Sequence, residues 1–124
     1  MATDDARAVL EAHVAAFNDR DVRGLLDGFT EDAEWVTGHY RCAGRTELEE
    51  LFTGAFAAIA PRLGIVRVVG GHGVVAAELV EDMTIDGRPV RAPIAGFYTV
   101  RDGLIVGAKI YREGSADIPD GGGA

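Results

Sequence analysis

Cysteine is nearly absent from this chain. Cys42 stands alone, which excludes an intrachain disulfide, and nothing near it has the spacing of a metal or redox site. Long apolar runs are missing too: no stretch approaches the ~18 residues of a membrane-spanning helix, so no membrane partner is expected. Positive charge is scarce, with 12 Lys and Arg against 20 Asp and Glu and a net charge of −8. That balance excludes the basic face that nucleic-acid phosphates demand. The acidic start Met1-Ala2-Thr3-Asp4-Asp5 lacks the basic and apolar regions of a signal peptide, and the expected location is cytoplasmic. There is no dinucleotide fingerprint, no P-loop, no metal-spaced histidine or carboxylate cluster and no lysine placed for a Schiff base. No cofactor and no metal are therefore expected. If the chain is an enzyme, it works by proton transfer and shape.

What is present is enough apolar material for one folded domain. The 124 residues are 48% hydrophobic and can bury a real core. Ala6, Val9, Leu10, His13, Val14 and Phe17 share one stripe at helical spacing. Asn18-Asp19-Arg20-Asp21 breaks that helix, and Asp19 or Asp21 is available to cap a short second one carrying Val22, Leu25, Leu26 and Phe29. Glu34–Thr37 and Tyr40–Ala43 read as a short strand pair. Thr46 with Glu49 forms a capping box for a third helix, which Pro61 closes. Four strands follow, at about 65–69, 74–85, 90–100 and 104–112. Asp86-Gly87 and Asp102-Gly103 are strong hairpin signals, because both turn positions need φ > 0. Helices segregated on one side of an antiparallel meander make an α+β domain, expected over residues 1–113, with a flexible tail over 114–124.

Three segments carry a family resemblance: Ala16–Trp35, Gly44-Arg45 before the third helix, and Arg91–Tyr111. Over roughly Ala6–Glu113 the chain resembles the nuclear-transport-factor-2-like superfamily. The resemblance implies a cystatin-like cone, with three N-terminal helices packed on a curved sheet that encloses an apolar pocket. Relatives include ketosteroid isomerases, SnoaL-type polyketide cyclases, limonene epoxide hydrolase and non-catalytic ligand binders. The isomerase catalytic set is replaced, with Thr37, His13 and Ala95 standing where that family has its aspartate base, tyrosine and protonated aspartate. The epoxide hydrolase set is replaced as well. Its arginine and two aspartates fall at Leu79, Glu81 and Ile110, and its water-positioning pair falls near Trp35 and Thr37.

Glu81 is the leading catalytic candidate. Strand alternation puts Leu79, Glu81 and Met83 on one face and Glu78, Val80 and Asp82 on the other. Alternation alone does not choose between the faces; the resemblance turns Leu79, Glu81 and Met83 inward. A carboxylate in a dry pocket has a raised pKa and can exchange protons near neutrality. The competing position for Glu81 is a strand edge, in water or paired with Arg88 or Arg91. His13 is the expected acid–base partner, placed across the cone, and otherwise a pocket wall. The resemblance makes Phe17, Trp35, Phe52, Phe56 and Phe97 the walls that orient a substrate. It places Thr37 and Tyr40 near a polar group of the ligand and gives Ala95, Ala108 and Ile110 inward positions. By the same reading Arg112 reaches the pocket mouth or forms a surface salt bridge. Tyr98, Ile94, Ile105 and Tyr111 are expected on the outer sheet face, as a homodimer interface.

The expected function is that of a cofactor-free enzyme acting on a hydrophobic, cyclic or polyketide-like small molecule by general acid–base catalysis. A non-catalytic binding protein is the alternative. An epoxide hydrolase with a different water-activating set is the third reading.

Overall fold

Two ties near the chain's first turn fix how helices meet sheet. In the computed structural model, which describes residues 2–38 and 40–112, helix α1 (Ala2–Asn18) buries Ala6, Leu10, His13, Val14 and Phe17. At its end the Asn18 side chain donates to the Leu63 carbonyl (2.9 Å) and accepts from the Leu63 N–H (2.8 Å). Helix α2 (Val22–Asp27) starts where the Asp21 carboxylate accepts the Gly24 N–H at 3.0 Å. Gly28 closes it by donating to the Leu25 carbonyl. Phe29 therefore opens strand β1 (Phe29–Thr37) and is fully buried there, rather than lying on the second helix as its spacing suggests.

Strand β2 (Tyr40–Ala43) leads into helix α3 (Arg45–Ile59). The expected Thr46–Glu49 box does not form. The helix begins two residues earlier, with Gly44 at its N-cap in a left-handed backbone (φ 86°). Glu47, now in the third helical position, reaches back to accept the Ala43 N–H at 2.8 Å. The Arg45 guanidinium donates to the Phe29 carbonyl at 2.6 Å, tying α3 to the start of β1.

The remaining strands are β3 (Arg62–Gly71), β4 (Val74–Ile85), β5 (Arg88–Arg101) and β6 (Leu104–Tyr111). The six strands run in the order β2-β1-β6-β5-β4-β3, antiparallel except for the β1–β6 pair. Both Asp-Gly turns form as expected, with positive φ at Asp86, Gly87, Asp102 and Gly103. No helix among the described residues is long and apolar enough to cross a membrane. His39 and the tail expected over 114–124 lie outside the described residues.

Register decides which side chains enter the cone. The two-residue turn at Asp86-Gly87 pairs Glu81 with Ala92, Leu79 with Ile94 and Val75 with Tyr98. Cross-strand partners share a face. With Leu79 and Glu81 buried, Ala92, Ile94, Gly96 and Tyr98 must also point inward. The expected parity of β5 is thus corrected: Ala95 and Phe97 face out, Phe97 being 48% exposed, while Tyr98 is 1% exposed. A register shift between Thr99 and Val100 then sets Tyr98 opposite Ala108 and Gly96 opposite Ile110, which keeps Ala108 and Ile110 inside. Gly96 is needed for this arrangement, because a Cβ there would lie 2.6 Å from the Tyr98 ring. Ile94, Tyr98 and Ile105 are core residues and cannot form an outer face. Of the expected interface only Tyr111 lies outside, edge-to-face with Phe97 at 5.9 Å between ring centroids.

Candidate functional site

Glu81 is buried inside the cone, 4% exposed, and its partner is an arginine from just beyond the end of β6. Arg112 Nη1 donates to Glu81 Oε1 at 2.6 Å, and Arg112 Nε donates to Thr37 Oγ1 at 2.8 Å. Inward parity continuing from Ala108 and Ile110 aims the arginine this way. One guanidinium therefore links β1 to β4 across the interior. A carboxylate taken out of water needs such a partner, since an uncompensated buried charge is strongly destabilising. The short, charge-assisted contact supplies it. Arg88 and Arg91 do not serve Glu81. Arg91 instead pairs with Asp82 on the outer face at 3.3 Å.

His13 does not pair with Glu81. Its imidazole sits among the rings of Phe29, Trp35 and Tyr98, with centroids 5.6 Å away in each case, and Phe52 at 6.3 Å. Neither ring nitrogen has a hydrogen-bond partner among the described residues. Burial in this cage pushes its pKa down from 6.5 to about 4, so the ring is neutral at pH 7. The expected acid–base pair is replaced by two separate features, an aromatic cage around His13 and an ion pair at Glu81.

Tyr98 joins the two. Its ring lies over Gly96 and beside His13, and burial raises the pKa of its phenol. Arg112 opposes that rise and Glu81 adds to it, so both members of the ion pair act on the phenol. Sequence reasoning placed Tyr98 outside and missed it. The signal was available: with Glu81 inward, the two-residue Asp86-Gly87 turn makes every even-numbered residue of β5 inward.

Phe17, Trp35 and Phe52 are buried as expected, and Leu79, Ala108 and Ile110 share the interior. Phe56 and Met83 are half-buried. Phe56 packs on Phe17 at 5.1 Å and carries the Arg20 guanidinium on its ring at 4.7 Å. Tyr40, 71% exposed, is no pocket residue, because β2 is an edge strand that leaves its ring in water. Ala95 and Phe97 leave the site with the β5 parity. Thr37 stays, holding Arg112 rather than standing free to orient a ligand. Burial raises the Cys42 pKa, with Glu47 and Glu50 adding to it, which opposes thiolate chemistry. His72 is exposed at the β3–β4 turn.

Helices packed on one side of a curved six-stranded sheet make the nuclear-transport-factor-2-like cone fold. The sequence matches the SnoaL-like domain over residues 10–108, and the chain belongs to that family. Its fold is similar to that of a putative polyketide cyclase from Xanthomonas campestris, at 22% identity, TM-score 0.84, and 90% of this chain against 92% of that one. It is similar to an LEH-like epoxide hydrolase from M. tuberculosis, at 20% identity, TM-score 0.82, and coverage of 90% and 84%. A protein with a ketosteroid isomerase-like fold from Catenulispora acidiphila is a third likeness, at 21% identity, TM-score 0.78, and 83% of both chains. At such identities these likenesses establish the fold. Comparison with curated proteins found no match.

Proposed function

We propose that this chain is a cofactor-free enzyme that moves a proton on a hydrophobic, cyclic or polyketide-like small molecule, with Glu81 as the proton-transferring carboxylate. The observation that carries this reading is the 2.6 Å Glu81–Arg112 pair, braced by Thr37, in an interior built mainly of apolar and aromatic side chains. Arg112 engages Oε1, and Oε2 is the oxygen assigned to the substrate. Glu81 takes a proton from a carbon next to a carbonyl, and the C–H electron pair moves onto the carbonyl oxygen as an enolate. The enolate either recovers the proton at another carbon, giving isomerisation, or attacks a second carbonyl carbon of the same molecule, whose π electrons move onto its oxygen and take the proton back from Glu81, giving cyclisation. A charge that shifts from carboxylate to enolate remains close to Arg112 throughout. Phe17, Trp35 and Phe52 supply shape. His13, neutral and caged, is a wall in this scheme.

The polyketide cyclase among the structural neighbours supports this class of substrate. The epoxide hydrolase reading gains an arginine, because Arg112 supplies the one missing at Leu79. It still lacks a second acid, since Ile110 is buried at that place. A pure binding protein is favoured by the same ion pair if the arginine never releases the carboxylate. Deuterium incorporation next to the carbonyl of cyclic ketones, followed by NMR in D2O, separates the two. Exchange catalysed by the wild-type protein should fall about 100-fold or more in Glu81→Gln. A wild-type protein that binds the ketones and leaves exchange at the buffer rate is a binder.

We also propose that two copies pair through the outer sheet face. Phe97 and Tyr111 stand exposed there beside a groove of about 390 Å³ that Val36 and Lys109 also line. Sedimentation at micromolar concentration should show a dimer that Phe97→Glu dissociates. A wild-type protein that sediments only as monomer contradicts the pairing.

A further inference from the structure

We infer that the crevice between α1 and α2, on the outside of the cone, is a second binding site, for a small uncharged molecule that carries a hydroxyl on an apolar ring. This site is separate from Glu81. The crevice touches Ile105, near the start of β6. Arg112, which holds Glu81, comes seven residues later, about 23 Å further at strand spacing.

The walls of the crevice stand apart. Ala8 and Ala12 lie one turn from each other on α1 and are exposed, so methyl groups form the rim on that side. Gly24 and Gly28 line the α2 side. Gly24 has no room for a side chain, because a Cβ there would run into the Asp21 carboxylate that caps α2. Gly28 is different. Its φ of −81° suits any residue, and a Cβ there would meet nothing closer than the Leu25 carbonyl at 3.4 Å. The fold does not require a glycine at that place, and the missing side chain keeps the space open. The crevice measures about 240 Å³, below the ~300 Å³ at which pockets for drug-sized molecules begin.

His13 is its inner end. Ala8 and Ala12 stand in water, while the imidazole that lines the same crevice is only 5% exposed. Neither ring nitrogen has a partner among the described residues. A buried imidazole in that state costs stability, and a polar ligand group at the inner end removes the cost. The nitrogens themselves are covered, so the ring turns about its Cβ–Cγ bond, a soft torsion, to meet the ligand.

The chemistry of the walls selects the ligand. A neutral imidazole offers one N–H donor and one acceptor nitrogen, and a hydroxyl answers either. Val9, Leu25 and Ile105 are aliphatic and suit an apolar body. An anion would find no positive charge in this crevice, on a chain of net charge −8. A metal ion would find His13 alone, and no group of three His, Cys, Asp or Glu able to hold one occurs among the described residues.

NMR of protein carrying ¹⁵N-labelled histidine reads the site directly, with the His13 signals assigned by their loss in His13→Leu. The probes are phenol and toluene, which differ by a hydroxyl in place of a methyl. Phenol at millimolar concentration should shift the His13 ring nitrogens saturably. It should bind about tenfold more tightly than toluene, the worth of one net hydrogen bond. Ala12→Leu enlarges an exposed side chain on the rim and should weaken phenol about tenfold or more by occupying the space the ring needs. Glu81→Gln should leave phenol binding unchanged. The inference is overturned by the absence of a saturable shift, by toluene binding as tightly as phenol, or by full phenol affinity in Ala12→Leu. Phenol affinity lost in Glu81→Gln overturns it too, by placing the ligand inside the cone. If Ala12→Leu does not fold, Gly28→Leu closes the crevice from the other wall and decides. Ketone exchange is a separate readout: its absence would sink the enzyme reading and leave this site standing.

Discussion

Arg112→Leu should destabilise the protein by about 3 kcal/mol, the low end of what breaking a buried ion pair costs, because it leaves Glu81 charged and unpaired in the interior. The low end applies because the arginine side chain is itself 34% exposed, and water reaching its place relieves part of the penalty. Adding Glu81→Gln to Arg112→Leu should recover most of the loss, since the amide carries no charge to compensate. Urea unfolding of the two single variants and the double variant measures this coupling. A loss under about 1 kcal/mol in Arg112→Leu, of the order of an exposed pair, would mean that Glu81 finds another partner or reaches water.

Acid should unfold this protein through His13. The unfolded chain binds a proton on this ring below about 6.5, the folded protein only below about 4. Between those values the unfolded state holds more protons, so stability rises with pH across the window and is lost as pH falls through it. Above pH 6.5 this contribution to the pH dependence is absent; below pH 4 the loss is complete. Two and a half pH units correspond to about 3 kcal/mol. Other groups titrate in the same range, so the comparison is with His13→Leu, which removes only this ring. Between pH 7 and pH 4 the wild-type protein should lose about 3 kcal/mol more than His13→Leu does. Parallel losses in the two proteins would show that the imidazole is reached by water or by a polar partner.

Much of the fold was legible because its signals are local. The stripe from Ala6 to Phe17, the Asp-Gly turns and the Pro61 stop each depend on a few neighbouring residues, and the elements form where those residues put them. The α2–β1 boundary was misread because Phe29 continues the apolar spacing of α2 after Gly28 has already ended the helix. Burial of Glu81 followed from the resemblance, while its partner did not. Arg112 follows the last strand and is distant from Glu81 in sequence, so only the assembled register brings them together. The β5 parity shows how one residue matters. A uniform β5–β6 register that turned Ala108 and Ile110 inward would carry Phe97 inward as well. The irregularity between Thr99 and Val100 puts Tyr98 there instead. His13 was expected to find a polar partner because burying a bare imidazole is costly. The structure instead surrounds it with rings and keeps it neutral.

The central claim is that chemistry takes place inside the cone at Glu81, and a crystal structure of the protein with the cyclic ketone β-tetralone tests it most directly. The ring should lie inside the cone against Trp35 and Phe52, with a carbon next to its carbonyl within reach of a Glu81 oxygen. A ketone bound in the outer groove beside Phe97 and Tyr111, or in the crevice that Ala12, His13, Gly24 and Gly28 line between α1 and α2, with the Glu81–Arg112 pair untouched, would contradict it.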